Sequence, residues 1–164
     1  MADEDTLRAA RDLLELCRGK KLTIATAESC TGGLVAGALT EIAGSSDVVD
    51  RGFITYSNQA KHQMLGVTMA TIETYGAVSR ETAEMMARGA IARSDAGLSV
   101  AITGVAGPGG GTATKPVGLV QFAAAARDGR LIHEEKRYGD IGRSEVRRLS
   151  VLQALAMLRQ LAGA

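Results

Sequence analysis

Short apolar stretches of strand length alternate with longer stretches of helical periodicity along this 164-residue chain. The short stretches predict strands at 22–27, 48–56, 98–103, 117–126 and 131–138. The last two are joined by Arg127-Asp128-Gly129-Arg130, which is typical of a hairpin turn. Because strands and helices alternate before this hairpin, the sequence predicts a single α/β domain over residues 1–164. Its expected form is three α/β/α layers around a mixed sheet.

Capping side chains and glycines bound the predicted helices. These run from Asp5 to Gly19, from Leu34 to Gly44, from Ser57 to Gly66, from Thr68 or Thr71 to Gly76, from Ser79 to Arg93, and from Gly142 or Ser144 to Leu161. The run from Gly104 to Gly111 lies outside all of them and predicts an irregular loop.

Composition and charge narrow the range of functions. With 3 Tyr, 2 Phe and no Trp, the chain offers few aromatic side chains on which the bases of single-stranded nucleic acid could stack. Its net charge of +1 gives no general attraction to nucleic acid or acidic membranes. Cys17 and Cys30 lack Cys-x-x-Cys spacing, and His62 and His133 are far apart, so only carboxylates remain as candidate metal ligands. The acidic start has no apolar leader and no transmembrane run is visible, so we expect a cytoplasmic protein that needs no metal or cofactor.

The turn between the first strand and the second helix is the most informative segment. Ala27-Glu28-Ser29-Cys30-Thr31-Gly32-Gly33 brings two hydroxyls, a thiol, a carboxylate and two adjacent glycines to that point. The unpaired N–H groups of a helix N-terminus stabilise anions and developing oxyanions, so Ser29 is placed to act as a nucleophile. Helix capping, with glycines that merely permit a tight turn, is the competing interpretation, and spacing alone favours it.

A serine nucleophile needs a base, and no histidine stands where a catalytic triad would be obvious. Tyr56, at the end of the second strand, and Lys61, in the third helix, can both point into a cleft above the sheet. A desolvated lysine can accept the serine proton and a tyrosine hydroxyl can relay it. Taken one at a time, a solvated lysine and a strand-end core tyrosine are the more common outcomes.

Two charged residues and the glycine-rich loop are candidates for substrate contacts. Glu28 can orient Lys61, touch substrate, or sit near the positive end of the second helix. A basic run at the start of the last helix contains Arg143, Arg147 and Arg148. An arginine there can meet a phosphate with both arms of its guanidinium, whereas a solvated helix face is the favoured interpretation for at least two of the three. The loop 104–111 follows a buried strand, where ligands of open α/β sheets bind, and is either a binding loop or a plain flexible one.

Recurring motifs extend over nearly the whole chain. They are Ala27-Glu28-Ser29-Cys30-Thr31-Gly32-Gly33, Gly44-Ser45-Ser46, the run 51–58 with Lys61, Leu65-Gly66-Val67, Gly76-Ala77-Val78-Ser79, the run 103–108, Lys115-Pro116-Val117-Gly118, and Gly139-Asp140 with Arg143 and Val146-Arg147. In this order they resemble the CinA C-terminal domain family. The chain departs from the family pattern at Gly109, where an acidic residue is common, and in the longer spacing from Gly139-Asp140 to Arg143.

The resemblance implies a hydrolase, specifically an amidohydrolase that converts the carboxamide of nicotinamide mononucleotide to nicotinate mononucleotide and ammonia in pyridine nucleotide recycling. It implies that Ser29 is the nucleophile and that Tyr56 and Lys61 are its catalytic partners. The expected substrate is a small pyridine mononucleotide, and the expected assembly is a homo-oligomer. The substrate contacts that we expect are Glu28, Cys30, Thr31, Gly32, Gly33, Thr103, Gly104 and Arg143. The nucleotide-pyrophosphatase-like domain that precedes this one in other members is expected to be missing, with its activity. The alternative is a non-catalytic nucleotide- or partner-binding module that keeps the fold, and ammonia release would discriminate between the two.

Overall fold

A computed structural model describes residues 2–163, which form a five-stranded sheet covered by helices on both faces. The elements are α1 (Glu4–Lys20), β1 (Ile24–Glu28), α2 (Leu34–Thr40), a 3-10 turn (Ser45–Asp47), β2 (Val49–Ile54), α3 (Asn58–Leu65), α4 (Met69–Tyr75), α5 (Arg80–Ala92), β3 (Leu98–Gly104), β4 (Leu119–Ala126), β5 (Leu131–Arg137) and α6 (Arg143–Gly163). The α/β class predicted from the sequence is confirmed.

The strand order in the sheet is β2-β1-β3-β4-β5. β1 runs parallel to both β2 and β3, whereas β3–β4 and β4–β5 are antiparallel. The chain leaves β1 towards β2 on one side and later returns to β3 on the other side. The carboxyl end of β1 is therefore a topological switch point, where helices diverge and open α/β sheets leave a crevice for ligands.

Two apolar cores lie on opposite faces of the sheet. One joins the sheet to α1, α2 and α6, and the other joins it to α3, α4 and α5. Alternate residues of β1 face opposite cores, since Ile24 belongs to the first and Ala25 to the second. The alanine-rich β4 is buried along its whole length, and its small side chains let α5 pack closely on the sheet.

Three predicted helix starts are confirmed by side-chain caps. Ser57, Thr68 and Ser79 each accept a hydrogen bond from the backbone N–H three residues further on, at the starts of α3, α4 and α5. Gly66 ends α3 in the left-handed conformation, at φ 71°, and Gly76 follows α4. Helix α3, which carries Lys61, is thus fixed at both ends by its own sequence.

The predicted limits of the first two helices are wrong. Asp3 rather than Asp5 caps α1, because its Oδ1 accepts the Thr6 N–H at 2.8 Å. The helix also passes Gly19 and ends only where Lys21 turns left-handed, at φ 58°. Helix α2 stops at Thr40, well before Gly44, and a separate 3-10 turn follows.

Several strand ends also differ from the prediction, by one or two residues. β1 begins two residues later than expected and continues through Glu28, so that Ser29 follows it directly. β3 extends through Gly104, which was expected to belong to the irregular loop. β4 begins at Leu119, because Gly118 adopts a left-handed φ of 90° that interrupts the extended backbone. Between residues 2 and 163, no helix combines the length and the apolar character that crossing a bilayer requires.

Candidate active site

Ser29 lies at the switch point, immediately after β1. Its backbone N–H donates to the Ile102 carbonyl of β3 at 2.9 Å, so its main chain is still anchored to the sheet. Its side chain lines a cleft of about 540 Å³ and is only 8% exposed. The sheet thus holds this hydroxyl rigidly at the place where the topology leaves room for a ligand.

Lys61 reaches Ser29 from the helix on the other side of the cleft. Its Nζ lies 2.9 Å from Ser29 Oγ and donates to the Thr55 carbonyl at 3.0 Å. The side chain is 2% exposed, although most lysines in proteins remain in water. The Thr55 carbonyl, at the end of β2, therefore aims the amine at the hydroxyl.

Burial determines the charge state of this amine. It lowers the pKa of Lys61 below its ordinary value, and only a weak electrostatic contribution from Cys30 opposes the shift. None of the ion pairs formed within residues 2–163 includes Lys61. An amine without a carboxylate partner in a buried site loses its proton more easily than one at the surface, which suits a base.

Cys30, next to the serine, does not compete as a nucleophile. Its side chain is 5% exposed, and burial raises the pKa of its thiol to about 12. The reactive thiolate is therefore scarce near neutral pH. The hydroxyl of Ser29, with an amine beside it, is the better nucleophile in this turn.

Tyr56 bonds to Arg143 rather than to Lys61. Arg143 Nη2 donates to the Tyr56 hydroxyl at 2.8 Å, and Nη1 donates to the Gly107 carbonyl at 2.8 Å. Within residues 2–163, no hydrogen bond joins the Tyr56 hydroxyl to Lys61 or Ser29. One guanidinium thus ties the end of β2 to the glycine-rich loop, an arrangement that we call the clasp, and the proton relay through this tyrosine stays a prediction.

Glu28 faces α2 instead of the cleft. Its Oε1 accepts the Gly33 and Val35 N–H groups at 3.2 and 2.9 Å, and Oε2 accepts the Ala36 N–H at 3.0 Å. The side chain is 1% exposed. Of the three roles left open by the sequence, the structure gives Glu28 the one at the positive end of the helix. It neither orients Lys61 nor borders the space in which a ligand would bind.

The turn after Ser29 keeps two backbone donors free. The Gly32 N–H donates to the Ser29 carbonyl, and those of Gly33 and later residues are already used. In the described part of the chain, the Cys30 and Thr31 N–H groups have no protein acceptor. These two amides are the candidates for binding an oxyanion beside the serine.

Arg147 of α6 holds the same turn from behind. Its Nε donates to the Cys30 carbonyl at 3.1 Å and its Nη2 to the Thr31 carbonyl at 3.3 Å. Because C=O and N–H point in opposite directions in a trans peptide, fixing the Cys30 carbonyl also fixes the direction of the Thr31 N–H. For the basic run that includes Arg147, the sequence suggested only a phosphate contact or a solvated helix face, and not this contact with Cys30, which lies 117 positions away.

The rest of the cleft is built from β3 and the loop that follows it. Thr103 is 1% exposed, and its hydroxyl donates to the Ala77 carbonyl at 2.9 Å. A Cβ at Gly104 would lie 2.8 Å from the Val120 side chain, so the backbone can pass there only as glycine. The lining residues are Ser29, Cys30, Tyr56, Asn58, Lys61, Ala77, Val78, Thr103, Gly104, Val105, Ala106, Gly109, Gly110 and Arg143.

The structure brings most of the predicted site residues together. Tyr56, Lys61, Thr103, Gly104 and Arg143 share the cleft with Ser29 and Cys30. Glu28, Gly32 and Gly33 do not line the cleft, so their position does not support the expected contact with substrate. The side chain of Thr31 does not line it either, and only the free Thr31 backbone N–H remains a candidate for contact with substrate. Asn58 also lines the cleft, although the sequence analysis placed it only in the recurring run 51–58 and gave it no role in the site.

Both histidines are occupied away from this cleft. His62 Nδ1 lies 2.8 Å from the Val67 carbonyl, and His133 Nε2 lies 2.7 Å from the Gln121 side-chain oxygen. Among residues 2–163, no group of three or more His, Cys, Asp or Glu side chains is arranged to hold a metal ion. The polar side-chain groups that line the cleft are three hydroxyls, a thiol, an amine, a guanidinium and an amide, and they belong to Ser29, Tyr56, Thr103, Cys30, Lys61, Arg143 and Asn58.

Comparison with curated proteins finds close relatives over most of the chain. A protein of Enterobacter agglomerans named nicotinamide-nucleotide amidohydrolase PncC is 50% identical over 121 residues, which cover 74% of this chain and 74% of that protein. A CinA-like protein of Synechococcus sp. (strain RCC307) is 50% identical over 159 residues, or 96% of this chain. The chain spans only 37% of the length of that second relative.

Solved structures share the same fold. The competence/damage inducible protein CihA of Agrobacterium tumefaciens is 56% identical, with a TM-score of 0.97 over 100% of this chain and 99% of that one. A CinA superfamily protein of Escherichia coli is 37% identical, with a TM-score of 0.90 over 100% and 94% of the two chains. The family model for the CinA C-terminal domain matches residues 6–162. Nearly the whole sequence, and the fold that it forms, thus agree with one family, and the chain belongs to the CinA C-terminal domain family.

Proposed function

We propose that this protein hydrolyses the carboxamide of nicotinamide mononucleotide, with Ser29 as the nucleophile and Lys61 as its base. The observation that carries the proposal is the buried pair of Ser29 Oγ and Lys61 Nζ, 2.9 Å apart and without a carboxylate beside the amine. Ser–Lys pairs are a known variant of the catalytic triad. The name of the amidohydrolase relative, which is 50% identical, points to the same reaction.

The reaction proceeds through an acyl-serine. As Ser29 Oγ attacks the carboxamide carbon, the neutral Lys61 amine accepts the hydroxyl proton. The Cys30 and Thr31 N–H groups stabilise the negative oxygen of the tetrahedral intermediate. When this intermediate collapses, the protonated Lys61 gives its proton to the departing nitrogen, and ammonia leaves.

Hydrolysis of the acyl-serine repeats these steps with water. Lys61 accepts a proton from the attacking water, whose oxygen becomes part of the carboxylate of the product. The amine then returns the proton to Ser29 Oγ as the ester bond breaks. The net result is that one water is consumed and that ammonia and a pyridine carboxylic acid are released. The acid loses its proton to ammonia in solution, so that the products are a carboxylate and ammonium, and the enzyme is unchanged.

Arg143 is the group that we assign to the phosphate of the substrate. Apart from Lys61, it is the one cationic side chain among the residues that line the cleft. Its guanidinium donates to two neutral oxygens, those of Gly107 and Tyr56, and a phosphate would attract it more strongly than either. The cleft volume of about 540 Å³ lies within the range of small-molecule sites, which is about 300–1,000 Å³. The cytoplasmic location and the homo-oligomer stay predictions.

The test is ammonia release from nicotinamide mononucleotide by the purified protein and by Ser29→Ala. The variant should keep the wild-type circular dichroism spectrum and bind substrate in calorimetry, yet lose about a thousandfold or more in kcat. A folded variant with near-normal ammonia release would exclude Ser29 as the nucleophile. Binding without turnover in the wild type would instead favour a non-catalytic nucleotide-binding module.

A further inference from the structure

A second concave site lies on the α1, α2 and α6 face of the molecule. It is behind the turn formed by residues 29–33, which contains Ser29 and is named the nucleophile turn. It is a groove of about 630 Å³, somewhat larger than the catalytic cleft at about 540 Å³. Carbon atoms make up most of its walls. The residues that line it are Ala2, Asp3, Thr6, Gly33, Leu34, Gly37, Ala38, Thr40, Glu41, Ser144, Arg147, Arg148 and Val151. None of these borders the cleft.

The apolar wall of the groove is formed mainly by α2. Leu34 is 42% exposed, which leaves a large apolar side chain in water at the edge of the groove. Gly37 and Ala38 follow on the same helix and have little or no side chain, so the groove is open above them. A ligand that covered this wall would bury apolar surface, which favours binding.

The two arginines of the groove are in different situations. Arg148 is neutralised, since its guanidinium pairs with Glu145 at 2.8 Å and with Asp3 at 3.1 Å. Arg147 is half-buried, and none of the ion pairs within residues 2–163 includes it. Within the described residues, its hydrogen-bond partners are the carbonyls of Cys30 and Thr31. The groove also holds the Glu41 carboxylate, which accepts from the Ala2 N–H and forms no ion pair with Arg147.

We propose that this groove binds a small amphipathic anion, with the acidic head on Arg147 and the apolar body against Leu34 and Ala38. Charge and shape support the same occupant. The Arg147 guanidinium has no anionic partner among the described residues, and the apolar wall of α2 beside it is open to solvent. The volume suits a ligand of modest size, since small-molecule sites occupy about 300–1,000 Å³. Binding here does not depend on the proposed amidase reaction.

A ligand bound in the groove affects the nucleophile turn through the same arginine, Arg147. The guanidinium that meets the anion also holds the Cys30 and Thr31 carbonyls. An anion that draws Arg147 towards the groove therefore changes the hydrogen bonds that fix the Thr31 and Gly32 amides. The nucleophile turn is the part of the active site that responds to this ligand.

The experiment is a titration of the ¹⁵N-labelled 17.0 kDa protein with octanoate, followed by amide signals in NMR. Octanamide, which has the same tail and no charge, is the matched probe. We expect octanoate to shift the signals of Leu34, Ala38 and Val151 saturably, with the Thr31 and Gly32 signals following the same curve. We expect octanamide to bind about tenfold more weakly, because it lacks a charge-assisted hydrogen bond.

Four variants locate the site. A Cβ at Gly37 would meet no atom within 4 Å, so Gly37→Leu should fold, fill the groove and abolish the octanoate shifts. Arg147→Met should weaken octanoate by about tenfold and leave octanamide unchanged. Arg148→Met is the control and should keep most of the octanoate affinity. Arg147→Lys, which keeps the charge, should retain more affinity than Arg147→Met.

Several results would overturn the proposal. They are an absence of saturable shifts, equal affinity for the two probes, equal losses in the two arginine-to-methionine variants, or unchanged binding by Gly37→Leu. Sedimentation of the wild type and of Gly37→Leu tests a different occupant. If filling the groove dissociates an oligomer, the groove is a contact between copies of the chain and not a ligand site.

Discussion

At the scale of single residues, the charge of Lys61 decides whether the site can work. Arginine at this position keeps a positive charge but does not deprotonate near neutral pH. We therefore predict that Lys61→Arg and Lys61→Ala both lose about a hundredfold to ten-thousandfold in kcat, the range typical of a lost general base. Ammonia release measures turnover, and calorimetry checks that substrate still binds. An active Lys61→Arg would mean that the lysine supplies only charge.

The pH dependence of the wild type follows from the same residue. Because burial lowers the pKa of Lys61, the neutral form becomes populated at a lower pH than for a surface lysine. The neutral form is the base, so kcat/KM should rise with pH through this lowered pKa and level off above it. A rate that falls over the same pH interval would contradict a lysine base.

Tyr56→Phe distinguishes a clasp from a proton relay. The Tyr56 hydroxyl accepts from Arg143, so its removal should loosen the arginine and raise KM a few-fold, the effect of about 1 kcal/mol for one hydrogen bond. The kcat value should change little. A relay would instead cost kcat about a hundredfold or more. Tyr75→Phe is the matched control, because Tyr75 is 50% exposed and lies outside the cleft.

At the scale of elements, α2 depends on a carboxylate that lies outside it. The helix has only 7 residues, and Gly33, at its N-cap, offers no side chain. The Glu28 carboxylate supplies the missing acceptors for three backbone N–H groups. Glu28→Gln puts an NH₂ donor where an acceptor is needed, so it should lower the free energy of unfolding by about 2 kcal/mol.

Urea unfolding followed by circular dichroism measures this loss. Glu73→Gln on α4 is the control, because Glu73 is exposed and forms no ion pair within residues 2–163. Turnover should also fall in Glu28→Gln, since the nucleophile turn joins β1 to the helix that Glu28 caps. Equal stability of the two variants would show that the hydrogen bonds to Glu28 contribute little.

At the scale of the whole molecule, the fold supplies the general base of the proposed reaction by burying the Lys61 amine, so this reaction needs no metal ion. We predict that ammonia release survives prolonged treatment with EDTA within about twofold, since the general base is an amine and not a metal-bound hydroxide. The assay is repeated after adding zinc, manganese or magnesium. Activity that disappears with EDTA and returns with one of these metals would replace the serine mechanism by metal-activated water.

The sequence predicted the layers, and the placement of Ser29 and Lys61 at one cleft, because these depend on local patterns. Ser29 stands at a strand-to-helix turn, and the Ser57 and Gly66 caps define the helix that carries Lys61. Hydrogen bonds between residues that are far apart in the sequence leave no such local pattern. Tyr56 and Arg143 are 87 positions apart, and the direction of the Glu28 carboxylate depends on where α2 packs. Periodicity places a residue on a face but does not choose its hydrogen-bond partner.

In the proposed mechanism, the Lys61 amine can act as a base only while α3 stays docked on the rest of the protein. A Cβ at Gly89 of α5 would overlap the Leu65 carbonyl, so α3 is seated against α5 at backbone distance. If this helix detaches, water surrounds the amine, its proton returns, and Ser29 loses its activator. By this mechanism, a nascent or partly opened chain does not attack amides. Ser29 becomes reactive only when folding is complete.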